Sequence, residues 1–399
     1  MLLDRMQSNA VEPHITWNPV WDEPARRWSA IAADLAASLF SPRAAEVDRS
    51  GEYPWEHVRA LAGAGLTALL IPARFGGHDE SLTTLCAVAE AIARGCPSTC
   101  TIWSSYAVGA MPLVLAGTEE QQQRWLPDIA AGAAAAFALT EEHAGSDASA
   151  ITTSARPATG GGWQVQGEKW LVGNGGSARY YTVFAKAEGI AGLTAFLLDK
   201  EADGLVVDRY QDKMGLRGTT TSNLRVDCVV PGDRLIGHPG RGLSLGLSTL
   251  NIGRVIAAAQ SCAMAETALQ AAAMHATDRQ AFGSPIIDFQ AVGFRLADVA
   301  TELSAARMMT WEAAGSRDDP ERFRTLSAMA KLYSSEVAHR AVDAAVQVLG
   351  AAGYAKPNVV ERLYRDQRVM EIFEGTSEIQ RLSLVRTIKA ACAAARQPA

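Results

Sequence analysis

An unbroken apolar seam in the C-terminal third restricts what this chain can fold into more than any other feature. Phe289, Val292, Leu296, Val299, Leu303 and Ala306 follow one another at spacings of three and four. Residues so spaced share one face of an α-helix, and that face needs other helices to cover it. Asp319-Pro320 then reads as an N-cap followed by a proline at the first helical position. Leu326, Met329, Tyr333, Val337, Ala341, Ala344 and Val348 continue the period, and Gly350 and Gly353 end it. From about Leu243 onward the chain therefore reads as a bundle of long helices.

The first third is also helical. Val58, Leu61 and Ala62, and later Leu85, Val88, Ala89 and Ile92, repeat the same spacing, with breaks expected at Gly76-Gly77 and Pro112. Between Phe137 and Gly237 the texture changes. Trp163 to Gln166 alternates in period two behind the turn signal Gly160-Gly161-Gly162. Tyr181 to Ala185 and Leu193 to Leu198 are rich in strand formers, Leu224 to Asp227 alternates again, and Asn174-Gly175 fits a hairpin turn. The fold class is α+β: an N-terminal α-helical domain over 1–136, a middle antiparallel β-domain over 137–240, and a C-terminal four-helix bundle over 241–399.

Composition excludes several functions. A net charge of -6 argues against nucleic acid as the partner, although helix N-termini and a few arginines can still hold an anionic cofactor. The apolar stretches, such as Gly132 to Leu139, fall short of the ~20 residues of a membrane span. Met1 to Pro13 is polar and carries Asp4 and Glu12, unlike a secretory signal, so a cytoplasmic location is expected. The six scattered cysteines read as buried free thiols. Cys96 and Cys100 lack a second Cys or His pair, no HExxH or P-loop occurs, and no metal is expected. Gly240 to Gly246 has a dinucleotide-loop flavour, but it lies outside any βαβ unit and reads as a loop opening a helix.

The informative segment runs from Arg365 to Arg381. One helix is expected to end near Phe373 and Gly375 makes a break. Thr376 or Ser377 caps the next helix, with Gln380 placed for a capping box from Ser377. A carboxylate at such a break, flanked by Phe373, has its pKa raised toward the range of a general base. Glu371, three residues earlier, reads as a solvated helix residue.

The run Ile372-Phe373-Glu374-Gly375-Thr376 resembles the signature of acyl-CoA dehydrogenases, in which the glutamate before Gly-Thr is the catalytic base. Four further segments match in order. Phe137 to Asp147 resembles the flavin loop, and Lys213 to Thr219 resembles the Lys-Met-Gly-x-Arg motif of the β-domain. Arg279 to Gly283, with Gln290 after it, resembles the arginine segment that reaches the flavin of a neighbouring subunit, and Gln347 to Tyr354 resembles the last FAD contact. The likeness covers about residues 25 to 390.

The resemblance implies an acyl-CoA dehydrogenase-like fold and FAD-dependent α,β-dehydrogenation of an acyl thioester. Glu374 would take the α-proton while the β-hydrogen leaves as hydride to flavin N5, giving the trans-2-enoyl thioester. Phe137, Ala138, Leu139, Thr140, Ser146, Leu171, Gly173, Arg279, Phe282, Gln290, Gln347, Ala351, Thr376 and Glu378 fall at cofactor positions. Ser146, Asn251, Arg254 and Gly375 fall at substrate positions. Arg254 also admits a plainer reading, as half of a helix-surface ion pair. The implied partners are an acyl-CoA or carrier-protein thioester, an electron-transfer flavoprotein or similar acceptor, and further copies of the chain in a dimer or tetramer.

The chain departs from the pattern at several places. Leu171 and Gly173 stand where the family usually has the tryptophan that screens the flavin and the threonine that bonds N5. Asn251 replaces an aspartate, Glu142 and His143 a proline and a glycine, and Ala351 a glycine. These changes keep two alternatives open: the same chemistry on an acyl- or peptidyl-carrier thioester, or a flavin monooxygenase on the same fold. Glu374 argues against the second, and, with both flavin segments present, against a non-enzymatic binding module.

Overall fold

A computed structural model describes residues 15–396, so the expectation for Met1 to Pro13 lies outside the described residues. Six α-helices come first: α1 (Glu23–Leu35), α2 (Ser41–Ser50), α3 (Trp55–Gly63), α4 (Leu82–Gly95), α5 (Pro97–Ala116) and α6 (Glu119–Ala130). Side-chain caps start several of them. Asp22 accepts from the Ala25 N–H before α1, and Ser81 accepts from Thr84 before α4. Pro112 does not break the chain as expected but lies inside α5. The flanking turns bury Trp103, Met111 and Leu113, and this packing holds the helix across the missing N–H.

The β-domain is one eight-stranded sheet, β1 (Ala135–Ala138) to β8 (Leu235–Ile236). It is mixed rather than antiparallel, because β4 (Tyr180–Ala187) pairs parallel with both β1 and β2 (Ser154–Pro157). Asn174-Gly175 closes no hairpin either. The strand before it, β3 (Trp163–Gly173), pairs with β2 and β7 (Thr221–Val230), whereas β4 pairs with β1, β2 and β5 (Leu193–Asp199). Asn174 is 1% exposed and donates its amide to the Ile102 carbonyl of α5. The turn is thus anchored on the helical domain and leads the chain elsewhere in the sheet.

Four long helices form the bundle: α7 (Gly242–Asp278), α8 (Gln290–Gly315), α9 (Pro320–Leu349) and, after the short α10 (Ala351–Tyr354) and α11 (Val359–Gln367), α12 (Ser377–Ala394). The seam residues Leu296, Val299, Leu303 and Ala306 pack in one core with Ala338, Ala341 and Val342 of α9 and Ala265, Ala268 and Ala272 of α7. Alanines let α7 and its neighbours approach closely. Gly350 ends α9, whereas Gly353 lies inside α10. By length and composition α5 and α7 could each cross a membrane, which corrects the expectation from the shorter apolar runs. Both are central helices with most of their residues buried in the fold.

Arg307 of α8, fully buried, joins the first domain to the bundle. It pairs with Glu90 of α4 and Glu266 of α7 at 3.0 Å each, and reaches Thr16 and Asn18. Five cysteines are buried as expected, but Cys392 is exposed.

Candidate active site

The segment between α11 and α12 departs from its expected shape. The α-helix stops at Gln367, a 3-10 turn follows over Arg368–Glu371, and then Glu374 and Gly375 both take positive φ, 55° and 88°. A non-glycine residue rarely adopts this conformation unless its surroundings hold it there. Thr376, not Ser377, caps α12 by accepting from the Ile379 N–H. Gln380 makes no capping box; its amide turns back and donates to the carbonyls of Glu374 and Gly375, at 3.1 and 2.8 Å.

Two more helices grip the same two carbonyls. Arg254 of α7 donates Nε to the Glu374 carbonyl at 3.1 Å and Nη1 to Asn251 Oδ1 at 2.8 Å. At 5% exposure it is no helix-surface ion pair. Lys331 of α9 donates Nζ to the Gly375 carbonyl at 2.7 Å. Sequence reasoning missed Lys331 because a lysine inside an amphipathic helix reads as a solvated one.

The Glu374 carboxylate itself is poorly solvated, and its Oε2 is buried with no hydrogen-bond partner among the described residues. Burial raises its pKa to about 7, against the opposing pull of Arg254 and Lys331. Glu371 is not solvated as expected: it bonds His339 Nδ1 at 2.7 Å and lies 3.7 Å from Arg368.

Gly253 gives the carboxylate its seat. A Cβ at this position would lie 2.6 to 3.0 Å from the Glu374 carboxylate atoms. Because those atoms end a flexible side chain, Gly253→Val should leave the fold intact and turn the carboxylate aside. A displacement near 1 Å costs about 10²-fold in rate. Steady-state turnover and a melting curve of the same preparation test this; an active Gly253→Val protein would show that the seat is not needed.

The other candidate residues fall into two sets. In the first, Phe137, Ala138 and Leu139 run along and just beyond β1, with Ala138 and Leu139 buried and the half-buried Phe137 ring packed 4.9 Å from Phe184. Thr140 accepts the Trp170 N–H through its carbonyl at 2.8 Å, which brings the loop beside Leu171 and Gly173 of β3. Leu171 is 55% exposed, and a Cβ on Gly173 would lie 3.1 Å from Ser105 Oγ of α5. Thr101, Ser104 and Ser105 are half-buried on this mostly buried helix. Ser146 is exposed in the same loop, Glu378 is exposed on α12, and Asn251 is tied to Arg254. In the second set, Arg279, Phe282, Gln290, Gln347 and Ala351 are all exposed, and none of them takes part in the contacts that assemble the Glu374 turn. Phe282 is 98% exposed at the tip of a small hairpin.

Two further ties fix the surroundings of the site. Lys169 of β3, fully buried, donates to Glu141 at 2.8 Å and to the Leu139 carbonyl at 3.2 Å. Glu141 also accepts from Thr152 and Thr153, which together with Lys169 hold its pKa near 2. The segment Lys213 to Thr219 makes a joint: Leu216 N–H donates to Asp366 at 2.5 Å, and Arg365 clasps Asp48 through two 2.7 Å bonds. This joint sets the start of the Glu374 turn.

Sequence profiles of the acyl-CoA dehydrogenase N-terminal, middle and C-terminal domains match residues 23–133, 136–229 and 240–389. The chain is a member of the acyl-CoA dehydrogenase family. It is 40% identical over 367 residues to the probable acyl-CoA dehydrogenase FadE25 of Mycobacterium tuberculosis, covering 90% of this chain and 94% of that one. It is 39% identical over 355 residues to the human mitochondrial short-chain specific acyl-CoA dehydrogenase, covering 88% and 86%. Among solved structures, butyryl-CoA dehydrogenase from Megasphaera elsdenii superposes with a TM-score of 0.90 at 31% identity, over 93% of this chain and all of that one. The prolyl acyl carrier protein oxidase AnaB gives 0.88 at 26%, over 92% and 100%. An acyl-CoA dehydrogenase from Bacillus anthracis complexed with FAD gives 0.89 at 27%, over 100% and 71%.

The chain is thus an oxidoreductase of a flavin-dependent family. Its residues fit such a cofactor. Exposed Leu171, Gly173 without a side chain and half-buried Thr140 are uncharged, and the Ser105 hydroxyl lies beside Gly173, a lining suited to a flat heterocycle.

Proposed function

We propose that this member of the family binds FAD and oxidises the Cα–Cβ bond of an acyl-CoA thioester, with Glu374 as the base. The single observation that carries this reading is the Glu374 carboxylate, buried and unbonded at Oε2 on a turn held by three helices. A desolvated carboxylate is a stronger base than a solvated one, and a fixed turn holds it on the α-carbon's path. Backbone from Phe137 to Thr140, with Leu171 and Gly173, would hold the flavin ring. Ser146, Asn251, Arg254 and Gly375 would face the substrate, and Thr376 and Glu378 the cofactor at the start of α12. When bound, the flavin supplies the acceptor for the β-hydrogen and its electron pair. Glu374 takes the α-proton onto its carboxylate, and Arg254 and Lys331 balance the charge beside it.

The exposed Arg279, Phe282, Gln290, Gln347 and Ala351 would complete a cofactor site on a neighbouring copy, so a dimer or tetramer is proposed. Electrons would leave through a separate flavoprotein. Short acyl chains head the list of substrates, by likeness to the butyryl-CoA and short-chain enzymes. A carrier-bound thioester is the second reading. It is supported by Asn251, whose amide oxygen is occupied by Arg254, and by likeness to AnaB.

Anaerobic bleaching of the yellow protein by a panel of CoA-bound and carrier-bound acyl groups tests both readings. Bleaching should quicken as pH rises through about 7, where Glu374 ionises. A protein that only reduced nicotinamide or reduced flavin could bleach would be a monooxygenase instead.

A further inference from the structure

Lys331 is 1% exposed in the middle of α9, and among the described residues its hydrogen bond goes to the Gly375 carbonyl at 2.7 Å. For a contact of that kind a charge is an expensive choice. An ammonium loses strong hydration on burial, whereas a neutral amide can hold a carbonyl at far smaller cost. Gln380 does so on the same turn, bonding both the Glu374 and Gly375 carbonyls. The charge therefore needs a further reason. It lies beside it: the Glu374 carboxylate has a buried oxygen with no hydrogen-bond partner, and Arg254 and Lys331 are the cations that face it.

We propose that Lys331 is a positioning residue for the base: it locks the Glu374–Gly375 turn through the Gly375 carbonyl and supplies a fixed positive charge that keeps the unbonded carboxylate ionisable. The inference rests on the reading of Glu374 as the base. Lys331 is faced by Glu374 in the turn, Arg254 on α7, Glu371 in the 3-10 turn and Glu378 on α12. Burial lowers the Lys331 pKa to about 8, so it still carries charge where Glu374 titrates, near 7. Arg254 is bonded to the Glu374 carbonyl and to Asn251. Two cations on separate helices thus offset the desolvation that a strong base requires.

The test follows the Glu374 carboxyl by infrared difference titration of the holoenzyme, its band assigned by absence in Glu374→Gln. Lys331→Met should raise the titration midpoint by about one pH unit, and Lys331→Arg should restore it. In parallel, bleaching by butyryl-CoA should slow about fivefold at pH 7 and recover at higher pH, as the ionised fraction dictates. An unmoved midpoint, or a rate loss equal at every pH, would overturn the proposal and leave Lys331 a structural residue. Should Lys331→Met fail to fold, Lys331→Gln keeps a donor for the carbonyl, removes the charge, and must show the same shift. If butyryl-CoA does not bleach the wild type, the short-chain reading falls while the infrared titration still decides the role of Lys331.

Discussion

Glu374→Gln slows bleaching of the flavin by an acyl thioester by about 10⁴-fold, the upper end for loss of a positioned base, because the α-carbon is a weak acid. The amide keeps the size of the carboxylate and the backbone bonds to Arg254, Gln380 and Lys331, so the turn should persist and the protein should remain yellow. Stability moves the other way. The wild-type carboxyl is held at about 7 in the fold against 4.5 as its ordinary value, so the native state is favoured at low pH and loses that advantage as pH rises through 7. The amide has no such slope and should melt higher than the wild type at pH 8. Glu371→Gln removes the charge from the contact with His339, outside the Glu374–Gly375 turn, and should leave turnover within a few-fold. Stopped-flow bleaching of both variants separates the two carboxylates; a Glu374→Gln protein reduced at the normal rate would remove the dehydrogenase assignment itself.

The second large effect concerns folding. Glu141→Ala strands the Lys169 ammonium in the interior, with only the Leu139 carbonyl at 3.2 Å left to it. Removing one partner of a buried pair costs roughly 3–5 kcal/mol, mostly from the charge left behind. Lys169→Met in the same chain should recover part of that loss. Recovery should be incomplete, because Glu141 also accepts the N–H groups of Thr152 and Thr153, at 2.6 and 3.0 Å. Equilibrium denaturation of the single and double variants measures this. A single variant within about 1 kcal/mol of the wild type would mean that water reaches Lys169.

The residues that made the bundle legible were periodic, and period is what a single sequence displays. Leu296 to Ala306 repeat at helical spacing, and they pack as that spacing requires. The sheet was harder to read. Strand formers and alternation marked half of its eight strands, but nothing local in Tyr180 to Ala187 says that two of its neighbours run parallel. Asn174-Gly175 misled because its turn geometry is real while its amide is spent on α5. At the site, resemblance drew attention to Glu374, Arg254 and Asn251. Lys331 and the Glu141–Lys169 pair stayed hidden because their partners lie 44 and 28 residues away. Gln380 was noticed, but for a helix cap, when its amide serves the preceding turn.

The signature around the base is five residues long, yet the groups that grip it are spread from Arg254 to Gln380. Inheritance can act on the two separately. A lineage could keep Ile372 to Thr376 letter for letter and still drift in the pH at which its enzyme works, through substitutions on distant helices. Two chains with the same signature need not share one basicity, and sorting relatives by that signature would group them by reaction while concealing the conditions to which each has adapted.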